Sequence, residues 1–318
     1  MTKVTVLSRS FSRHPVLRAE LLARYPDASF NDAGVSLSGE ELIKALRGHQ
    51  KAIIALEPIS ADVLDAVPEL RVIAKYGVGF DKIDLAALIT RDVSLGWAGG
   101  VNRRSVAELV IGFAISMLRK LPEANDAVCN DNWHQVVGRQ LSDCTIGIIG
   151  CGHVGQDLGR ILRAGFDCRV LAHDIQDHPT YYTETGVMPS SLDALLREAD
   201  VISVHLPHDT STANILDATH LSMIKASAIL INTARGGLVD EMAIKKMLKA
   251  GTLAGAAFDV FACEPPEDQE LLDLPNFFAT PHVGGSTQES ILAMGRTAID
   301  GLDDYRVPEK GVFPPGFW

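Results

Sequence analysis

The chain has 318 residues, 47% of them hydrophobic and 22% charged, enough for two folded domains with sizeable cores and unlike a disordered segment. Its formal net charge is −11, from 29 Lys and Arg against 40 Asp and Glu, with no long run of one sign. That balance argues against nucleic acid as a partner, because phosphate binding needs a basic face, yet it leaves room for a local cationic pocket around a small anion.

The N-terminal stretch Lys3-Val4-Thr5-Val6-Leu7 reads as a strand, not as a cationic segment leading into a signal region. No apolar run approaches the roughly 20 residues that span a bilayer. Five cysteines (Cys129, Cys144, Cys151, Cys168 and Cys263) are odd in number and lack a CxxC spacing. A disulfide framework and a zinc site are disfavoured, and a reducing compartment is the simpler reading. The expectation is a soluble, cytoplasmic protein with no metal and no membrane or nucleic-acid partner.

In chain order, the predicted strands are Val4–Leu7, Ala52–Ala55, Val72–Lys75, Thr145–Ile149, Arg169–Ala172, Val201–Val204, Ala228–Asn232 and Gly255–Phe258. Amphipathic helical stretches alternate with them, among them Glu40–Arg47, Ala61–Val67, Val154–Ala164, Leu192–Glu198 and Glu241–Lys249. Continuous apolar strands separated by helices imply parallel sheets buried on both faces, the doubly wound α/β architecture. The pattern occurs twice, so two α/β domains are expected. A largely apolar segment, Arg104–Lys120, should be a buried helix between the blocks, with Gly96, Gly99 and Gly100 before it as a hinge. A last helix, Gln288–Tyr305, follows Gly284-Gly285 and returns to the first block. The expected division is therefore a discontinuous domain of residues 1–98 and 286–318, interrupted by a second domain of residues 99–285. The tail Val307–Trp318, with three prolines and three aromatics, reads as surface-packed or intersubunit.

Strand Thr145–Ile149 runs directly into Gly150-Cys151-Gly152-His153-Val154-Gly155, and a helix follows. In a Gly-x-Gly-x-x-Gly turn the glycines allow a tight bend, close approach to a pyrophosphate and close helix–strand packing. The diphosphate then rests on amides at the helix N-terminus. Asp174, nineteen residues past Gly155, ends the next strand, where a carboxylate can accept from ribose hydroxyls. It would repel a 2′-phosphate, and Ile175-Gln176 offer no cation to receive one, so NAD is favoured over NADP. Farther on, Asn232-Thr233-Ala234-Arg235-Gly236 contributes a cation, Glu264-Pro265 a carboxylate and Thr280-Pro281-His282 an imidazole. Hydride exchange with a 2-hydroxy acid needs groups of these kinds, one to grip a carboxylate and others to move a proton.

With these motifs in place, the sequence resembles the D-isomer-specific 2-hydroxyacid dehydrogenase family over almost its whole length. The resemblance is carried by Lys75-Tyr-Gly-Val-Gly-Phe-Asp81, Ser105-Val-Ala-Glu-Leu109, Gly147–Gly155, Val204-His-Leu-Pro207, Ile231-Asn-Thr-Ala-Arg-Gly-Gly237, Ala257-Phe-Asp-Val260, Glu264-Pro265 and Thr280-Pro-His-Val-Gly-Gly285. It implies a Rossmann-type NAD domain inserted into a flavodoxin-like substrate domain. It implies that Arg235 binds the substrate carboxylate and carbonyl, that His282 is the acid/base, and that Glu264 orients it. It implies substrate amides at Gly77-Val78-Gly79. Cofactor contacts are implied at Gly150, Gly152, His153, Val154, Gly155, Asp174, Ser105, His205, Pro207, Thr233, Ala234, Arg235, Asp259, His282, Gly284 and Gly285.

The expected substrate is a small anionic 2-hydroxy or 2-keto acid, held where both domains contribute, and the expected assembly is a homodimer through Arg104–Lys120. Val101–Leu109 and Trp133-His134 resemble a branch often labelled phosphoglycerate dehydrogenase, here without the serine-binding regulatory domain of longer relatives. Leu56-Glu57-Pro58 stands where many such enzymes place an arginine, and a carboxylate there would oppose a phosphate. Arg103, Arg104 and the loop Arg9–Arg13 are the cations that could compensate. The alternatives on the same fold are an NADH-sensing corepressor-like binding protein and a phosphite dehydrogenase-like activity.

Overall fold

The computed structural model describes residues 2–309. Residues up to Asn102, together with those from Thr287 onward, form one compact unit, and Arg103–Ser286 form another.

The first unit is built on five parallel strands: β1 (Val4–Val6), β2 (Ser29–Phe30), β3 (Lys51–Ile54), β4 (Val72–Lys75) and β5 (Ser94–Gly96). Their order, β2-β1-β3-β4-β5, is the flavodoxin-like arrangement. Buried Ile53, Ile54, Ile73 and Val72 make the central strands apolar on both faces, as helices packed on each side require. Helix Gln288–Asp300 packs against helix Pro15–Arg24, so the C-terminal segment completes this unit. The contact needs Gly295, because a Cβ there would lie 2.3 Å from a Leu17 methyl carbon.

The second unit holds seven parallel strands: β6 (Thr145–Ile149), β7 (Arg169–His173), β8 (Met188–Pro189), β9 (Val201–Val204), β10 (Ile229–Asn232), β11 (Gly255–Phe258) and β12 (Phe277–Ala279). Their order is β12-β11-β10-β9-β6-β7-β8. Counted from its own first strand this is 7-6-5-4-1-2-3, the dinucleotide-binding order with one strand added. The order reverses between β6 and β9, and loops at the carboxyl ends of those strands flank the crevice where such sheets bind ligands. Helix Arg103–Leu118 packs on this sheet and on helix His153–Phe166, burying Val106, Ala107, Val110, Ile111, Phe113, Ala114 and Leu118.

Several local expectations need correction. The long apolar helix stops at Leu118, and Lys120 adopts a left-handed conformation at φ 50°. The last helix ends at Asp300, capped at Gly301, and does not reach Tyr305. Gly96 is not a hinge residue. It lies in β5, and a Cβ on it would sit 1.9 Å from the Gly301 carbonyl oxygen, so glycine is needed there for close packing. Most of the tail Val307–Trp318 lies outside the described residues.

Candidate active site

The turn after β6 is shaped by its glycines, each for a different reason. Gly150 has φ 95°, and a Cβ would come within 2.7 Å of the His205 carbonyl oxygen. Gly155 lies where a Cβ would meet the Gly150 oxygen at 2.1 Å, so helix His153–Phe166 can approach β6 only without a side chain there. Gly152 is different: a Cβ on it would enter open space among the described residues. It is also the N-cap of that helix and supplies no side-chain cap. The helices starting at Ala61, Leu85, Leu192, Glu241 and Gln288 are instead closed by Ser60, Asp84, Ser191, Asp240 and Thr287 side chains. A helix start left to glycine suits an anion that approaches the backbone.

Asp174 follows β7 and is mostly buried. Its Oδ2 accepts from the Cys151 amide at 2.5 Å and its Oδ1 from the Gln176 amide at 2.9 Å. The acid is therefore tied to the glycine turn itself. Cys151 is buried beneath that turn, and desolvation with the nearby Asp174 charge pushes its thiol up to about 12, so it stays protonated and inert. The His205 imidazole shares a 2.8 Å hydrogen bond with Ser203 Oγ, and desolvation pushes it down to about 3. It is a neutral wall behind the turn. Pro207 follows in the same loop, and its carbonyl accepts from Thr212 Oγ1.

The loops after β10, β11 and β12 are held by buried side chains. Asn232 Nδ2 donates to the Arg235 carbonyl at 2.9 Å, and its Oδ1 accepts from the Ala234 amide at 3.1 Å, which folds Thr233–Arg235 into a tight turn. Gly236 then passes so close to the next loop that a Cβ would lie 2.0 Å from the Phe261 carbonyl carbon. That approach brings the Arg235 loop beside the Phe261–Glu264 loop.

Asp259, 1% exposed, accepts from Thr280 Oγ1, from the Val283 amide at 2.7 Å and from the Gly284 amide at 2.8 Å. The His282 amide donates to the Asp259 carbonyl at 2.9 Å. These bonds hold His282 at φ 54°, a left-handed conformation that costs a non-glycine residue about 1–3 kcal/mol and persists only when its surroundings impose it. Ser105 adds a further tie by donating its hydroxyl to the Gly284 carbonyl at 2.6 Å.

His282 Nδ1 lies 2.9 Å from Glu264 Oε2, and Glu264 Oε1 accepts from the Phe261 amide at 3.1 Å. One carboxylate oxygen is thus anchored to backbone while the other faces the imidazole. That arrangement sets the Nδ1 proton toward Glu264 and leaves Nε2 outside the pair. The Glu264–Pro265 peptide is cis. The unit thus holds Arg235, Glu264, His282, Asp259, Ser105 and the glycine turn, all at positions singled out in the sequence; it pairs Glu264 with His282 and ties Asp259 and Ser105 to the Val283–Gly284 segment. Asn232 and Gly236 lay inside quoted motifs without a role. An Asn at the end of a strand, with a Gly four residues on, was the available signal for such a turn.

A dinucleotide fits these residues: the open side of Gly152, the uncapped helix start, the Asp174 carboxylate and Thr233 Oγ1, buried without a hydrogen-bond partner among the described residues, are all in this unit. Arg104, a cation offered by the sequence, is engaged with Asp157 through Nε and Nη2 at 2.8 and 2.9 Å. The Asp157 carboxyl is held below its ordinary range by that guanidinium.

Residues 111–284 match the family model described as D-isomer specific 2-hydroxyacid dehydrogenase, NAD binding domain. A glyoxylate reductase from Thermofilum pendens is 34% identical over 287 residues, covering 87% of this chain and 84% of that protein. A D-3-phosphoglycerate dehydrogenase from Mycobacterium bovis is 36% identical over 259 residues, covering 81% of this chain, and the chain spans about half (48%) of that relative's length. Among solved structures, the TT0316 protein from Thermus thermophilus superposes with a TM-score of 0.83 at 31% identity, over 95% of this chain and 94% of that one. The chain belongs to the D-isomer-specific 2-hydroxyacid dehydrogenase family, a family of NAD-dependent oxidoreductases, and the unit that carries the site is its NAD-binding domain.

Proposed function

We propose that the protein transfers a hydride between NAD(H) and C2 of a small D-2-hydroxy acid/2-keto acid. The observation that carries this reading is the 2.9 Å Glu264–His282 pair set beside the Arg235 loop in an NAD-binding domain. Bound NADH supplies the hydride to C2. Arg235 grips the substrate carboxylate and polarises the adjacent carbonyl, which a planar, permanently charged guanidinium does well. His282, protonated and paired with Glu264, gives its Nε2 proton to the carbonyl oxygen as the alcohol forms; in oxidation the proton returns. Asp259 keeps His282 in place, and Asp174 accepts from the adenosine ribose. The substrate is a small anion of the class named for the relatives, which include glyoxylate reductases and glycerate dehydrogenase.

A panel of glyoxylate, hydroxypyruvate, 3-phosphohydroxypyruvate and longer 2-keto acids, followed by NADH absorbance, tests the reading. Turnover of at least one is expected. Tight NADH binding without any turnover would instead favour a cofactor-sensing role.

We also propose a homodimer. Among the described residues, none of helix Leu121–Cys129 is buried, and the segment after it exposes Trp133 at 86% and Val137 at 89%. Apolar side chains this exposed, next to helix Arg103–Leu118, suit a two-fold contact with a second copy. A stable monomer in sedimentation at micromolar concentration would overturn it. A cytoplasmic location accords with the free cysteines at all five positions.

A further inference from the structure

Two neighbouring amides of the loop that carries Glu264 are each held by a carboxylate, and the two carboxylates come from different places. The Phe261 amide donates to Glu264 Oε1 at 3.1 Å, within the loop itself. The Ala262 amide donates to Glu241 Oε1 at 2.7 Å, across 21 residues of chain. Glu241 is the first residue of helix Glu241–Ala250, and the cap of that helix is Asp240, which accepts from the Ala243 amide at 2.9 Å. An acid in a first helical turn is favoured by the amides exposed there, so a charge at this position is unremarkable in itself. Its hydrogen bond is the informative feature, because it goes to a loop of another segment.

Glu241 ends the stretch that carries Arg235, and that stretch is fixed from several sides. Asn232 holds the Ala234 amide and the Arg235 carbonyl. The Gly237 carbonyl accepts from the Asn214 amide at 2.7 Å, and the Leu216 backbone bonds to the Leu238 carbonyl and the Asp240 amide, each at 3.1 Å. Gly236 packs on the Phe261–Ala262 peptide, where a Cβ would lie 2.0 Å from the Phe261 carbonyl carbon and 2.3 Å from the Ala262 nitrogen. The Gly236 contact and the Glu241 bond therefore act on one peptide group. The contact sets how close the two loops come. The hydrogen bond, being directional, sets which way the peptide faces.

We propose that Glu241 is a positioning residue for the acid/base pair: by holding the Ala262 amide against the Arg235 stretch, it fixes Glu264 and, through Glu264, the His282 ring relative to Arg235. Resting on the function proposed above, the inference adds to that set a side chain that works only through Glu264. One substrate must meet the guanidinium and the imidazole in a single geometry, and misplacing reacting groups by about 1 Å can cost ~100-fold in rate.

The test measures kcat for glyoxylate and hydroxypyruvate with NADH, and the NADH dissociation constant by fluorescence, which also shows whether each variant is folded. Glu241→Ala should lower kcat roughly tenfold and leave NADH affinity unaltered. Glu241→Gln keeps an acceptor for the Ala262 amide without the charge and should retain kcat. Glu241→Asp keeps the charge in the first helical turn but is a methylene shorter, and should fall with Glu241→Ala. In a Glu264→Ala background, Glu241→Ala should lower kcat no further, because the group it positions is gone. The opposite order, with Asp active and Gln impaired, would make Glu241 a helix-end charge and overturn the proposal. So would losses that multiply in the double variant, or an unchanged kcat in Glu241→Ala. If Glu241→Ala fails to bind NADH, the Gln and Asp variants decide. If the wild type binds NADH but reduces no 2-keto acid, the proposed function itself fails, and a crystal structure of Glu241→Ala decides the positioning role separately. A Glu264–His282 pair that opens supports it, and a pair unchanged from the wild type overturns it.

Discussion

Two sets of loops at the carboxyl ends of the second unit's strands solve the problem of shaping a loop in opposite ways. After β6, glycines shape the turn by what they lack: Gly150 and Gly155 let backbone touch backbone, and Gly152 leaves space. After β10–β12, buried side chains shape the loops by what they hold: Asn232, Asp259 and Glu264 each clasp amides or carbonyls of the segment they position. The difference follows from the task. A pyrophosphate is bound by amides, so side chains must stay out of the way. A proton is moved by one imidazole, so its orientation must be imposed by groups around it.

The sharpest way to break the comparison is at the imidazole. His282→Ala should lower kcat by about 10²–10⁴-fold, the usual contribution of an acid/base group, while NADH binds nearly as before. Near-normal kcat would remove His282 from the chemistry.

The glycines should separate next. Gly155→Ala forces a Cβ to 2.1 Å from the Gly150 oxygen and should cost about 1–3 kcal/mol of stability, the range for overpacking. Gly152→Ala has open space and should keep its melting temperature but lose affinity for NADH. Equal melting temperatures for the two variants would mean that the glycines do not divide the work as described.

Asp174→Ala removes both a ribose acceptor and a charge repelling a 2′-phosphate. NADH affinity should fall roughly tenfold, as for a lost charged hydrogen bond of about 1.5 kcal/mol, and the gap to NADPH should narrow. A wild type that uses both cofactors equally would refute that role. The mildest change is Glu264→Gln. It keeps an acceptor for the Phe261 amide but loses the carboxylate beside His282 Nδ1, and should lower kcat less than His282→Ala does. An unchanged kcat would detach Glu264 from the proton transfer.

The expected strands at the sheet centres correspond to β1, β3, β4, β6, β7, β9, β10 and β11. The four absent from the sequence reading, β2, β5, β8 and β12, are the four sheet edges. Central strands are buried on both faces and read as unbroken apolar runs. Edge strands here are two or three residues long and partly exposed, Met188–Pro189 on both residues, so they leave little pattern to read. Short edges also limit unwanted pairing between molecules.

By itself the sequence singled out the residues proposed to carry the chemistry: the glycine spacing, Asp174, Arg235, Glu264 and His282, because each is a residue type with a local chemical requirement. It also determined the alternation of strand and helix, because apolar periodicity is written along the chain. Only the tertiary structure decided who holds whom. Asp259 gripping the His282 loop, Gly236 against Phe261, Gly96 against Gly301, and Glu241 on the Ala262 amide join atoms from separate segments or strands. Such contacts depend on distances set by packing, and a linear sequence carries residue identities and spacings but not those distances.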